Sequence, residues 1–248
     1  MQRVNNIQYM YDKNTNIELI VCNNSVISYP LHNHVSILTI GLVLCGSILL
    51  TIGDNSSICE KDNSFTIPPY VPHIIKAQNP YSLLTLCINK NVIKEYSKDK
   101  IKNNIFHLLS SIPEPKLTVI QILQLLNCLD SCDSILLPDS AEPFIDLAQK
   151  QIERYPEMQL SIDEMAHSLH ISKYHFIRSF KHAVGLTPHQ FLIQNRVRKA
   201  QHMLGKIDNI TEVALNTGFC DQSHFIKSFE KYVGLTPTAY KTSYKALT

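Results

Sequence analysis

Shifted by 49 positions, Ser172–Pro188 (SKYHFIRSFKHAVGLTP) lies over Asp221–Pro237 (DQSHFIKSFEKYVGLTP) with ten identities in seventeen positions. Upstream the correspondence continues at a shift of 48, pairing Ser161–Ala166 (SIDEMA) with Asn209–Ala214 (NITEVA), so one residue has been added in a turn of the second copy. Two copies of one small helical unit imply two similar surfaces presented side by side. That geometry suits a partner that itself repeats, and duplex DNA is such a partner.

Local chemistry makes each copy a helix-turn-helix. Ser161 and Asn209 are good N-caps, each with a glutamate three residues on (Glu164, Glu212), as in a capping box. Ala166 and Ala214 are small where a second helix must approach. The turn follows at His170-Ile171 in the first copy and Gly218-Phe219-Cys220 in the second; a left-handed residue is natural for Gly218 and less usual for His170. Ser172 and Asp221 cap the second helix. Phe176/Phe180 and Phe225/Phe229 are i,i+4 pairs that form its buried face. Gly185 and Gly234 end it, and Thr-Pro starts the next helix. The outward face is then Lys173, Tyr174, Ile177, Arg178 and Lys181 in the first copy. In the second it is Gln222, Ser223, His224, Ile226, Lys227 and Glu230. Most of these groups can contact phosphates or base edges, and a helix fits the major groove. Matching caps, turns and cores in two copies argue against two merely solvated faces.

The run Gly218–Phe229 (GFCDQSHFIKSF), followed by Gly-Leu-Thr-Pro237 and Tyr240, resembles the DNA-binding domain of the AraC/XylS family of bacterial transcription regulators. Arg196–Ala200 (RVRKA) adds to the match, which covers about the last hundred residues. The resemblance implies an all-helical domain whose two recognition helices are held by a rigid connecting helix, here about Pro188–Leu204. The two helices would enter neighbouring major-groove segments about 34 Å apart. Tyr174, Ile177 and Arg178 are expected to face bases in one half of the site, and Ser223, His224 and Lys227 in the other. Arg178 is the candidate for bidentate contact with guanine, worth about 1–3 kcal/mol of discrimination, and Ile177 for a thymine methyl. Lys173, Lys181 and Gln222 are expected to hold phosphates, which orient without reading sequence. Arg196, on the connecting helix, is expected to pair with a carboxylate inside the domain.

Charge sets a limit on this. Residues 141–248 hold 13 Lys+Arg against 10 Asp+Glu, and residues 1–140 hold 10 against 11. No basic tail binds DNA by bulk charge, so strength must come from dimerisation or from both reader units together.

The first 140 residues read differently. Val35–Gly53 contains no charge and is long enough for a membrane span. It is dense in Ile, Val and Thr, interrupted by Gly41, Gly46 and Ser47, and lacks flanking basic and aromatic anchors. Two strands turning at Cys45-Gly46 account for it better, followed by a turn at Gly53-Asp54-Asn55 and short strands to Asn89. The N-terminus shows no basic-then-apolar leader, so a cytoplasmic location is expected.

His32-Asn-His34 and Ile67-Pro-Pro-Tyr-Val-Pro72-His73 make this segment similar to the cupin-like sensor barrel that many AraC-family regulators carry. Metal-binding cupins set an HxH pair, a nearby Glu and a later His around one ion. Here Leu38 stands where the Glu would fall. Three imidazoles still suffice for a metal with an open position. Sensor versions of the fold often lack metal, and the reading adopted is a pocket lined by His32, His34 and His73 with Tyr29 and Tyr70 beside them, and no cofactor.

The seven cysteines, Cys22, Cys45, Cys59, Cys87, Cys128, Cys132 and Cys220, form no disulfide framework. Cys128 and Cys132 share a helix face, yet no neighbouring ligand completes a zinc set. Asn91–Ser111 and Lys116–Asp133 read as helices, the second with an apolar stripe of Val119, Ile122, Leu123, Leu126 and Leu129. That stripe packs either on the barrel of its own chain or, as the resemblance implies, on a second copy. Asp133–Pro143 reads as a linker, and Pro143 to Tyr155 as a helix.

The expected architecture is therefore α+β: a cupin-like β-barrel followed by helices, then an all-α domain with two helix-turn-helix units. Residues 1–90 form the sensor barrel, 91–140 the helical dimerisation region and linker, and 141–248 the DNA-binding domain. The resemblance implies a homodimeric transcription regulator, an activator more than a repressor. Its partners would be double-stranded operator DNA, RNA polymerase and a small-molecule effector, with no membrane. The competing readings are a ligand-independent regulator with a purely dimerising N-terminal domain, and a metal-dependent cupin enzyme fused to a DNA-binding tail.

Overall fold

Alternating apolar residues in the first ninety positions place one set of side chains on each face of a sheet. Among the described residues nine strands result: β1 (Asn6–Asp12), β2 (Ile17–Ser25), β3 (Tyr29–His32), β4 (Ile37–Cys45), β5 (Ser47–Ile52), β6 (Asn55–Glu60), β7 (Ser64–Ile67), β8 (His73–Ala77) and β9 (Tyr81–Asn89). A tenth, β10 (Tyr244–Leu247), pairs in parallel with β1. The computed structural model describes residues 6–13, 15–112, 115–130, 143–159 and 161–247.

The described strands form two sheets, ordered β10-β1-β2-β9-β4-β7 and β3-β8-β5-β6, in place of the closed barrel expected. The turn at Cys45-Gly46 is present, with Gly46 at φ 72. It does not make a hairpin, because β4 belongs to the first sheet and β5 to the second. A Cβ at Gly46 would lie 2.1 Å from the Pro80 carbonyl oxygen, so the chain passes from one sheet to the other where only glycine fits. The expected turn at Gly53 does close a hairpin, pairing Ile52 with Asn55.

One face of the six-stranded sheet is apolar without interruption. Ile17, Leu19 and Val21 of β2, Leu38, Ile40 and Leu42 of β4, and Leu84, Leu86 and Ile88 of β9 are all buried there. Against them pack Ile101, Ile105, Leu108 and Leu109 of α2 (Lys98–Ser111) and Leu125 and Leu129 of α3 (Val119–Asp130). At about 1.5–3 kcal/mol for each such side chain, this burial is what fastens the helices to the sheet. Asn91–Ser111 is not one helix. α1 (Lys90–Glu95) ends at Tyr96, and Ser97 caps α2 by accepting from the Lys100 amide. α3 starts at Val119, later than the expected Lys116. The proposed linker from Asp133 through Glu142, and Cys132, lie outside the described residues.

The remaining helices are α4 (Pro143–Arg154), α5 (Ile162–Ser168), α6 (Lys173–Val184), α7 (Pro188–Leu204), α8 (Ile210–Asn216), α9 (Gln222–Val233) and α10 (Pro237–Ser243). Their core is aromatic: Phe176, Phe180, Phe191, Phe225 and Phe229 are each fully buried. The described residues form two compact units, one holding β1, β2, β4 to β9, α1 to α3 and β10, the other holding β3 and the helices from α4 onward. Among the described residues no helix is long and apolar enough to cross a membrane.

Candidate DNA-reading surface and histidine cluster

The repeat read from the sequence is a structural repeat, and each element is held by the residue chosen for it. Ser161 accepts from the Glu164 amide, and Asn209 from the Thr211 and Glu212 amides. His170 and Gly218 occupy the left-handed region at φ 54 and φ 84. Ser172 and Asp221 cap α6 and α9, which end at Gly185 (φ 74) and Gly234 (φ 81). Thr187, Pro188 and Gln190 make a full capping box at the start of α7, whose bounds are those expected. Ala166 and Ala214 are buried where the paired helices meet.

With both phenylalanine pairs buried, the opposite faces of α6 and α9 stand outward. Tyr174 is 85% exposed, and Lys173, Arg178, Lys181, Gln222, Ser223, His224 and Lys227 are also exposed, while Ile177 is half-buried. The contact between the two helices of each unit recurs with different chemistry. In the first copy Lys173 Nζ pairs with Asp163 at 2.8 Å. In the second the Thr211 hydroxyl donates to Gln222 Oε1 at 3.0 Å, at equivalent positions. His224 stands edge-on to Phe219, their ring centroids 5.3 Å apart.

Arg196 is an internal strut, but its partner is not a carboxylate. Nε donates to the Pro156 carbonyl at 2.8 Å and a terminal nitrogen to the Met158 carbonyl at 3.1 Å. The neighbouring carboxylate, Glu157, pairs with Lys199 at 2.7 Å, which holds its pKa below the usual range. The Arg196 side chain thus ties the stretch after α4 to the connecting helix, and burial lowers its own pKa.

His32 ends β3, His34 lies in the β3–β4 connection and His73 opens β8. The His34 and His73 rings meet edge to face, 5.0 Å between centroids. Each Nδ1 faces an oxygen: the Pro30 carbonyl at 2.7 Å for His32, the Thr39 hydroxyl at 2.5 Å for His34, and the Val71 carbonyl at 3.0 Å for His73. Leu38, at the position of the absent acidic ligand, points into the core packed by the helices. Tyr29 lies beside His32, ring centroids 6.1 Å apart. Tyr70, at φ 66, fixes the loop before His73: its amide donates to the His34 carbonyl, and its hydroxyl bonds Ser36 and accepts from Lys90.

Two groups were missed in the sequence. Glu18 and Cys87 are register partners across β2 and β9, and Cys87 pairs in turn with Thr39 on β4. All three lie on the sheet face opposite the helices. Burial of the Glu18 carboxyl, which disfavours its charged form, pushes its pKa up to about 7. Burial, with Glu18 beside it, raises the Cys87 thiol, against a hydrogen bond with Thr39 that lowers it. The only signal in the sequence was a lone carboxylate inside an alternating apolar run, Ile17–Cys22.

Comparison with known proteins bears on the helical half first. A family model described as a helix-turn-helix domain matches residues 165–243. The HTH-type transcriptional regulator MtrA of Neisseria gonorrhoeae is 40% identical over 74 residues, 29% of this chain and 24% of that protein. The match therefore spans about a quarter of that relative's length. ToxT from Vibrio cholerae O395 has a similar fold, with a TM-score of 0.58 at 10% identity over 92% of this chain and 97% of that one. The unsaturated fatty acid bound form of wild-type ToxT from Vibrio cholerae gives 0.56 at 13% identity, covering 98% of each chain.

Proposed function

We propose that the chain, whose residues 165–243 match a helix-turn-helix domain, is a DNA-binding transcription regulator of AraC type that reads a two-part operator with α6 and α9, under control of an effector bound to its N-terminal part. The observation that carries the reading is the doubled, outward-facing recognition helix with matched caps, glycines and phenylalanine cores. Tyr174, Ile177 and Arg178 contact bases in one half-site and Ser223, His224 and Lys227 in the other. Lys173, Lys181 and Gln222 hold phosphates. Lys173 reaches a phosphate by giving up Asp163, an exposed pair worth about 0–1 kcal/mol.

The proposed division of labour is a sensor in residues 1–90, dimerisation through 91–140 and DNA binding in 141–248. Support for the dimer comes from α3, where Val119, Ile120 and Leu123 are 72%, 71% and 51% exposed. The protein acts in the cytoplasm as a homodimer and, with RNA polymerase, activates transcription rather than catalysing a reaction. By linkage, effector and operator change each other's affinity by the same factor.

Selection from a random DNA library with the full-length protein, at a stated salt concentration, tests this. An enriched site with two blocks about one helical turn apart is the expected result. Enrichment of a single block, or of none by either the full chain or residues 141–248, overturns the bipartite reading.

A further inference from the structure

Seven of the eleven histidines lie in residues 141–248, and the DNA reading uses one of them, His224. Another, His189, is set beside the reading surface. It follows Pro188 in the first turn of α7, and its side chain is exposed. Seven positions on, Arg196 returns to the same face of the helix, since seven residues make nearly two full turns. The Arg196 guanidinium lies over the Phe219 ring at 6.0 Å, and Phe219 meets His224 of α9 edge-on at 5.3 Å. The face of α7 that carries His189 therefore abuts the start of the second recognition helix, against which α7 packs.

The groups gathered at this seam are basic. Partial burial, then the charges of Arg196 and His224, hold the His189 pKa below its ordinary value. Arg196 is held by the carbonyls of Pro156 and Met158, dipoles that leave its charge in place. The carboxylate that faces Arg196, Glu157, is engaged by Lys199, and the Cys220 thiol faces Arg196 as well. A cation in the first turn of a helix also opposes the helix dipole. Stability of the fold does not account for a histidine here, since the repeat has Thr238 at the corresponding place. Like charges on an exposed surface are relieved by an anion. Beside a helix that reads DNA, that anion is a backbone phosphate.

We propose that His189 is a further DNA-contacting residue: as an imidazolium beside His224 it holds a backbone phosphate next to the half-site read by α9, so that a proton is taken up when the operator binds. This role rests on α9 reading DNA. The sign of the effect follows from the charges. In the free protein Arg196 and His224 oppose the proton on His189; in the complex the phosphate favours it, and the ring binds its proton more tightly than before. The affinity gained in this way is complete below the pKa of the free protein and is lost as pH rises through that of the complex. Operator binding is therefore tighter on the acid side of neutrality, where histidine titrates.

The test is titration of the full-length protein, by fluorescence anisotropy, into the duplex enriched from the random library and into a random-sequence duplex. It is run at about pH 6 and about pH 8 over a range of salt concentrations. The native chain should bind both duplexes on the order of tenfold more tightly at the lower pH. His189→Gln, at an exposed position, should keep the circular dichroism of the native protein and lose most of that gain. Its salt slope should be smaller than the native one by about one at the lower pH and equal to it at the higher. His189→Lys, charged at both, should bind as tightly at the higher pH as the native chain does at the lower. A native affinity that ignores pH overturns the contact, and so does a native pH dependence and salt slope in His189→Gln. Equal weakening of His189→Gln at both pH values does so too, because it would make the ring a packing group. A native chain that binds neither duplex at either pH removes the DNA reading itself, and this contact with it.

Discussion

Gly218→Ala should loosen the second reader unit while leaving the first intact. Gly218 sits at φ 84, and a Cβ there would lie 2.5 Å from the Glu157 carbonyl oxygen and 2.8 Å from its Cα. The left-handed backbone alone costs alanine about 1–2 kcal/mol relative to glycine. The clash is with main chain, not with a flexible tip, and moving packed backbone aside costs about another 1–3 kcal/mol. A total near 3 kcal/mol corresponds to opening about a hundredfold more often. Hydrogen exchange read by mass spectrometry on the full chain measures this directly: peptides from α8 and α9 should exchange about a hundredfold faster, and α6 should be unchanged. His170 occupies the same place in the first copy at φ 54, so His170→Gly should slow exchange there or leave it alone. Exchange in α8 and α9 within about threefold of the native rate would refute the reasoning, because it would mean that Glu157 yields without cost.

Arg178→Ala should weaken operator binding by about 1–3 kcal/mol and relax preference at one base pair, whereas Lys181→Ala weakens all sequences alike and lowers the salt slope by about one; equal loss on all sequences for Arg178 means the docking register is wrong. Glu18 has a folded-state pKa of about 7 against an ordinary 4.5, so the folded state holds the proton more tightly. Stability is therefore fully present below about pH 4.5 and falls as pH rises towards 7, by on the order of 2–3 kcal/mol. Denaturant melts of the native chain between pH 5 and 8 should show that fall and Glu18→Gln should not; parallel curves for the two would remove Glu18 as its source. Ile120→Asp on α3 should convert a dimer to monomer in sedimentation velocity without changing the melting temperature of the monomer, and an unchanged sedimentation coefficient would move the interface elsewhere.

What could be read from the sequence was local. Caps such as Ser172 and Asp221, the terminating Gly185 and Gly234, and the i,i+4 phenylalanines act within one or two turns of helix, so their chemistry is written in adjacent residues. Strand partnership is not local. The uncharged run from Val35 to Gly53 shows that strands form and where they turn, but nothing in it says that β4 and β5 join different sheets. The helix break at Ser97 was available as a cap signal and was overridden by the apolar periodicity around it. For the histidines, His32, His34 and His73 were all legible in the sequence, whereas the oxygens that face their Nδ1 atoms were not. Glu18 was invisible as a site because its partners, Cys87 and Thr39, lie 69 and 21 positions away on other strands.

The brace between the two helices of each reader unit is ionic in the first copy, Asp163–Lys173, and neutral in the second, Thr211–Gln222. Ions screen the former and leave the latter untouched. Duplication has thus given one scaffold two arms with unlike responses to the medium: a shift in cellular ionic strength frees the Lys173 ammonium on one arm while the other holds its shape. If α6 and α9 each read one half of an operator, as proposed, the balance between the halves would depend on salt as well as on base sequence, and the same site would be read with different emphasis in dilute and in concentrated surroundings.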